Sequence, residues 1–279
     1  MRFTKMQGCG NDYVYVDCFS ETVEDPSALA AAIADRHFGV GGDGLILICP
    51  PDDDSADARM RMFNADGSEG AMCGNGIRCV AKYVYDHGII PPQRRTAVIA
   101  TGDGPKTVDL TVEEGKAVLV TVDMGAPRLT SELPEAITVA GMELHYTGVD
   151  VGSRHAVYFL EDNAALGVSS VDELDFARYG RDFETHPRFP DRVNSEFIAV
   201  RSREEIDFRV WERGSGETLA CGTGATAAVW AGIRLGKLDS SVLVHLRGGD
   251  LRIRYDEGSG HCFMTGPAAE VFTGDFPWV

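Results

Sequence analysis

The segment Phe63-Asn64-Ala65-Asp66-Gly67-Ser68-Glu69-Gly70-Ala71-Met72-Cys73-Gly74-Asn75-Gly76 returns 148 residues later, without a gap, as Trp211-Glu212-Arg213-Gly214-Ser215-Gly216-Glu217-Thr218-Leu219-Ala220-Cys221-Gly222-Thr223-Gly224. An aromatic residue, a glutamate, a cysteine and two glycines hold the same positions in both copies. Chance supplies one Cys-Gly-x-Gly; it seldom supplies two with aligned flanks, so the chain reads as a duplicated unit. A fainter echo lies upstream in each copy. Gly10-Asn11-Asp12-Tyr13-Val14-Tyr15-Val16 answers Gly152-Ser153-Arg154-His155-Ala156-Val157-Tyr158-Phe159, with Asn11 62 residues before Cys73 and Ser153 68 before Cys221. A length of 279 residues suits two domains of about 140 residues each. The expected division is an N-terminal domain of residues 1–120, joined by 267–279, and a C-terminal domain of residues 121–266.

Around each copy the periodicity predicts β-structure and one apolar helix. Val14–Val16, Leu45–Ile48, Val118–Val122, Phe197–Val200 and Phe208–Trp211 are short β-prone runs. After Cys73, the residues Ile77, Val80, Ala81 and Val84 fall at helical spacing, and Gly88 can end the helix. Ala225, Ala228 and Val229 repeat the pattern after Cys221, with Gly236 as the stop. Asp25-Pro26 predicts a further helix over Ser27 to Arg36. The expected fold is therefore α+β: two pseudo-symmetric β-rich domains, each wrapped around a central helix, with the active-site cleft between them.

Both cysteines sit at a predicted helix start. Unpaired N–H groups there carry about half a positive charge. That favours a thiolate over a thiol, and it can also hold a carboxylate. The expectation is two activated thiols and two anion-binding helix ends, with glycines 74, 76, 222 and 224 admitting a ligand close to the backbone. Two bases flanking one carbon suit racemisation of an amino acid. One removes the α-proton and the other returns a proton to the opposite face, while the helix ends stabilise the developing charge. No pyridoxal-lysine, HExxH or dinucleotide motif is evident, and the seven histidines form no spaced metal cluster. The reading therefore calls for neither cofactor nor metal.

Composition narrows the partners. Lys+Arg 26 against Asp+Glu 43 gives a net charge of −17, which repels nucleic acid and anionic membranes. The expected partner is a small-molecule amino-acid substrate. The start, Met1-Arg2-Phe3-Thr4-Lys5, lacks a signal peptide's apolar stretch, and the longest apolar run, Ala28 to Ala34, is far short of a membrane span. Seven cysteines, an odd number, fit free thiols in a cytoplasmic protein. Cys9, Cys18, Cys49, Cys79 and Cys262 read as small structural hydrophobes. Glu69 and Glu217 read as braces of their loops, and Asp52-Asp53-Asp54 as a solvated loop.

The paired cysteine motifs resemble those of the diaminopimelate epimerase family. Gly8-Cys9-Gly10-Asn11-Asp12, Arg36-His37-Phe38-Gly39-Val40-Gly41-Gly42-Asp43-Gly44, Gly125-Ala126-Pro127 and Asn194 fit further elements of that family. The resemblance spans nearly the whole chain. It implies cofactor-independent interconversion of LL- and meso-diaminopimelate, serving lysine and peptidoglycan synthesis, in a family that often forms homodimers. It implies Cys73 and Cys221 as the acid–base thiols. Asn11 and the backbone at Gly74-Asn75 and Gly222-Thr223 would hold the reacting end. Asn64, Asn194 and Arg213 would hold the distal end, with Glu212 near its ammonium, and His155 would help set the protonation of the thiols. One departure stands out. The family usually reads Gly-Asn-Pro-His where this chain has Gly152-Ser153-Arg154-His155, and Ser153 is expected to reach the distal carboxylate through water. That departure keeps open a racemase of another amino acid, such as histidine or lanthionine. A thiol redox protein is the alternative from a different class.

Overall fold

The structure, a computed structural model, describes residues 1–278. The chain begins with β1 (Arg2–Gly8), β2 (Asn11–Asp17), α1 (Pro26–Ile33), β3 (Gly44–Cys49), β4 (Ala58–Asn64), β5 (Glu69–Gly70) and α2 (Gly74–Asp86). It continues through β6 (Thr96–Thr101), β7 (Gly104–Glu113), β8 (Lys116–Gly125), β9 (Arg128–Leu129), β10 (Glu135–Val139), β11 (Met142–Asp150) and β12 (Arg154–Phe159). Then come α3 (Phe176–Glu184), β13 (Asn194–Ser202), β14 (Glu205–Glu212), β15 (Gly216–Glu217) and α4 (Gly222–Arg234). The last strands are β16 (Ser241–Leu246), β17 (Gly249–Asp256), β18 (His261–Pro267) and β19 (Ala269–Asp275). Two compact units result: Met1–Val122 with the segment from Thr265 onward, and Asp123–Met264.

The same strand order is built twice. In the first unit β2 pairs parallel with β3, β3 antiparallel with β4, β4 parallel with β6, and β6 antiparallel with β7. In the second, β12–β13, β13–β14, β14–β16 and β16–β17 repeat those four pairings in kind. The echo reaches single side chains. Arg61 on β4 pairs with Glu69 on β5 at 2.8 Å, and Arg209 on β14 pairs with Glu217 on β15 at 2.8 Å. The two glutamates thus brace the approach to each cysteine.

Each unit has its own apolar interior. Val14, Val16, Leu29, Ile33, Leu45, Leu47 and Phe63 cluster in the first. In the second, Tyr158, Phe176, Phe183 and Phe197 form an aromatic nest with ring centroids 4.9–5.2 Å apart among the closest pairs. Helix α2 is buried along Ile77, Val80, Ala81 and Val84, and α4 along Ala225, Ala228 and Val229, the residues whose spacing predicts them.

Two elements depart from the sequence-based expectation. Asp25 caps α1 as expected, accepting from Ala28 N, but the helix ends at Ile33 rather than Arg36. The following loop folds back: Val40 N and Gly41 N donate to Ile33 O, and Gly42 N to Ala34 O. Gly39 permits this approach, since a Cβ there would lie 2.3 Å from Ala32 O. Helix α3 is absent from the sequence reading, and Gly180 in its middle costs a helix about 1 kcal/mol. Trp211 explains it. Its ring packs where a Cβ on residue 180 would lie 2.3 Å from Cε3.

Candidate active site

In the first unit, Cys73 is the N-cap of α2, in an extended conformation (φ −133°, ψ 117°). Its sulfur takes the cap role usually held by a hydroxyl or carboxylate oxygen, accepting Gly76 N–H at 3.3 Å. The thiol also donates to Asn11 Oδ1 at 3.3 Å. Asn11 is fixed in turn, its amide donating to Asp43 Oδ2 at 2.6 Å. Asp43 receives Arg36 Nη2 at 3.0 Å, and Arg36 also pairs with Asp12 at 2.7 Å. Burial raises the Asp12 pKa, but Arg36 and Lys5 outweigh it and hold the carboxyl below its ordinary value. Two motifs remote in sequence therefore interlock to orient one asparagine on one thiol. Gly74 and Asn75 form the buried first turn of α2. Asn64 ends β4, exposed, with its amide donating to Ser68 Oγ at 2.9 Å.

In the second unit Cys221 is the N-cap of α4 (φ −129°, ψ 109°), its sulfur accepting Gly224 N–H at 3.3 Å. Thr223 Oγ1 lies 3.5 Å from the same sulfur. Gly222 O accepts from Thr226 Oγ1 at 2.9 Å, which ties down the first turn. Here the electrostatics reverse the expectation of a thiolate. Burial, then the Glu212 and Glu196 carboxylates, push the Cys221 thiol well above its ordinary value, against the Thr223 and Gly224 hydrogen bonds. Burial raises Glu212 as well, with Glu196 adding to it, opposed by hydrogen bonds to Thr218 and Cys221. A helix start alone would favour the anion; burial, with the Glu212 and Glu196 carboxylates beside the sulfur, decides otherwise.

His155 and Glu196 are both fully buried, with Nδ1 2.7 Å from Glu196 Oε1. Ser153 Oγ lies 2.8 Å from Nε2, so Ser153 serves His155 rather than standing free for a distal carboxylate. Arg154 turns to Asp191 at 2.7 Å. A ring nitrogen of His155, a Glu196 oxygen and the Cys221 sulfur lie within 4.8 Å of one another, a grouping the histidine spacings did not reveal. These donor types suit zinc, but ligands of one tetrahedral ion stand roughly 3.3 Å apart. The 2.7 Å contact is that of a hydrogen-bonded pair. The sequence reading does not single out Glu196; the one available signal is its place directly before the β-run Phe197–Val200, two residues after Asn194.

Asn194 and Arg213 are brought together, Asn194 Oδ1 accepting Arg213 N–H at 2.8 Å. The Arg213 guanidinium reaches Asp191 O at 3.4 Å and is otherwise exposed. Nearby in this unit is a cavity of about 540 Å³ bordered by Arg128, Asp150, Arg154, His155, Arg188 and Arg192.

A fold of two such units occurs among racemases, epimerases and isomerases. A solved probable proline racemase from Agrobacterium radiobacter is similar over 99% of this chain and 92% of its own (TM-score 0.73, 14% identity). A hydroxyproline epimerase from Agrobacterium vitis is similar over 98% and 91% (TM-score 0.73, 16% identity). Sequence carries the assignment further. The model of the diaminopimelate epimerase family matches residues 3–130 and 147–271. The diaminopimelate epimerase of Agathobacter rectalis is 50% identical, covering 99% of both chains. That of Acetivibrio thermocellus is 48% identical, covering 99% of this chain and 98% of its own. That of Methanococcus maripaludis is 45% identical, covering 99% of both. The chain belongs to the diaminopimelate epimerase family, a family of isomerases.

Proposed function

We propose that the protein converts LL-diaminopimelate to meso-diaminopimelate without a cofactor, in the supply of lysine and peptidoglycan precursors, with Cys73 and Cys221 as its two acid–base groups. The observation that carries this reading is their matched placement: each cysteine caps the buried central helix of its own unit through its sulfur. In this reading one sulfur takes the α-proton and the other returns a proton to the opposite face, so one starts ionised and the other protonated. Cys221, whose thiol form is favoured by burial and two carboxylates, is assigned the proton-donating role, and Cys73, once it has given up the proton it donates to Asn11, the role of base. Glu212, hydrogen-bonded to Cys221, serves as its proton partner. The N–H groups at Gly74-Asn75 and Gly222-Thr223 would hold the reacting carboxylate, where preorganised dipoles stabilise the charge that develops. Asn11 would steady the reacting end. Asn64, Asn194 and Arg213 would recognise the distal one.

The test is α-proton exchange in D2O. LL- and meso-diaminopimelate should each exchange at one centre without added pyridoxal phosphate or metal, and Cys73→Ala or Cys221→Ala should abolish epimerisation while circular dichroism stays native. Most of the activity surviving either change would falsify the two-thiol assignment. Turnover of histidine or lanthionine in preference to diaminopimelate would move the substrate and keep the chemistry.

A further inference from the structure

His155 does not end at its carboxylate partner. Three side chains stand in line: Glu196 Oε1 is 2.7 Å from His155 Nδ1, and His155 Nε2 is 2.8 Å from Ser153 Oγ. Exposure rises along the line, from none at the Glu196 and His155 side chains to a half-buried Ser153. The local fold sets this up. Ser153 directly precedes β12 and His155 is its second residue, close enough for hydroxyl and ring to meet, and β13 runs parallel alongside with His155 beside Asn194 and Val157 beside Glu196.

We propose that Ser153, His155 and Glu196 form a proton relay of the epimerase site, in which Glu196 and Ser153 are positioning residues acting through His155. The inference rests on the function proposed above. Glu196 accepts the Nδ1 proton and so fixes the tautomer, leaving the Nε2 lone pair for the serine hydroxyl. A hydroxyl donates and accepts at one atom. A proton arriving from water can bind Ser153 Oγ while the hydroxyl's own proton passes to Nε2. The imidazolium so formed is balanced by the adjacent carboxylate, and the reverse steps release the proton. Glu196 suits that task because it is costly to bury otherwise: its Oε2 is buried with no partner among the other described residues, so the His155 contact is its main compensation. The arrangement follows the acid–histidine–hydroxyl logic of hydrolytic triads, turned to proton movement.

Two measurements decide it. The first is the ¹⁵N spectrum of the His155 ring in the full-length protein. The wild type should carry its proton on Nδ1, whereas Glu196→Gln, whose amide can also donate, should populate the Nε2–H tautomer. The second is steady-state kinetics on diaminopimelate. Glu196→Gln and Ser153→Ala should each lower kcat about tenfold or more, a part of the usual general acid–base contribution, with KM within about twofold, and Ser153→Thr should restore most of the loss. An unchanged tautomer in Glu196→Gln overturns the relay, and so does an unchanged kcat in Ser153→Ala. A wild-type enzyme inert on diaminopimelate would overturn the proposed substrate instead, and the tautomer would then decide the relay alone.

Discussion

Cys221 shows how a local rule is overruled by its neighbours. Its position at a helix start favours ionisation, yet burial and the carboxylates of Glu212 and Glu196 favour the thiol. Removing one of those charges should reverse part of the effect. In Glu212→Gln the negative charge is gone, so the thiolate gains and the Cys221 pKa falls. Iodoacetamide alkylation of Cys221, followed by peptide mass mapping across a pH series, should show its midpoint moved to lower pH than in the wild type. A midpoint unmoved or raised would mean that Glu212 does not act on this sulfur as a charge. At this scale the sequence was legible where residues sit in the repeated motif, as with the place of Cys73 and Cys221 at their helix starts. It was not legible for Glu196. An acid in Asn194-Ser195-Glu196-Phe197 looks like any solvent-facing strand residue, and only the parallel pairing of β12 with β13 sets it beside His155.

At the scale of elements, α2 and α4 show what the glycines after each cysteine are for. Gly224 has no room for a side chain: a Cβ there would meet Glu196 Oε1 at 2.8 Å and Cys221 Sγ at 3.2 Å. Gly224→Ala must therefore displace both the cap sulfur and the buried carboxylate. The expected cost is about 1–3 kcal/mol of stability, read by urea denaturation, together with slower α-proton exchange. Gly236→Ala provides the contrast. Its added Cβ would meet nothing within 4 Å, so strain at φ +72° is the only penalty, and exchange should persist. Helices α2 and α4 were readable because their apolar spacing is regular. Helix α3 was not, because the reason for Gly180 lies in Trp211, on a strand far along the chain.

For the molecule as a whole, buried thiols make alkaline pH the vulnerable side. Burial pushes Cys79 up from 9.0 to about 11, against a hydrogen bond from Tyr15 that lowers it, and pushes Cys262 up to about 12. An unfolded chain ionises these thiols near pH 9 while the folded one keeps its protons. Stability is thus full below about pH 9 and declines as pH climbs toward 11, by on the order of 3 kcal/mol for Cys79 alone. Urea unfolding at pH 8 and pH 10.5 measures the loss. Cys79→Ala should show a smaller fall between the two, and an identical fall would acquit this thiol. The duplicated plan was legible at this scale because each copy must solve the same packing problem with the same residues, down to Arg61–Glu69 and Arg209–Glu217. The order of strands within each copy was not, since parallel pairs such as β2–β3 and β12–β13 join segments that no short-range pattern connects.

The return of the chain to its first unit has a consequence for how the protein is made. Strand β19 pairs with β1 from Arg2↔Asp275 to Gln7↔Ala269, and the buried Arg78 of α2 donates to Pro267 O at 3.1 Å. On the ribosome, the second unit has all its residues, Asp123–Met264, before the strand that completes the first has been translated. Completion of the first unit therefore comes after the second is translated, against the usual N-terminal-first order of assembly. The earlier-made half must wait with β1 unpaired on one side, an open strand edge of the kind that invites wrong partners, until its closing strand emerges. The later-made half is free to fold while that wait lasts.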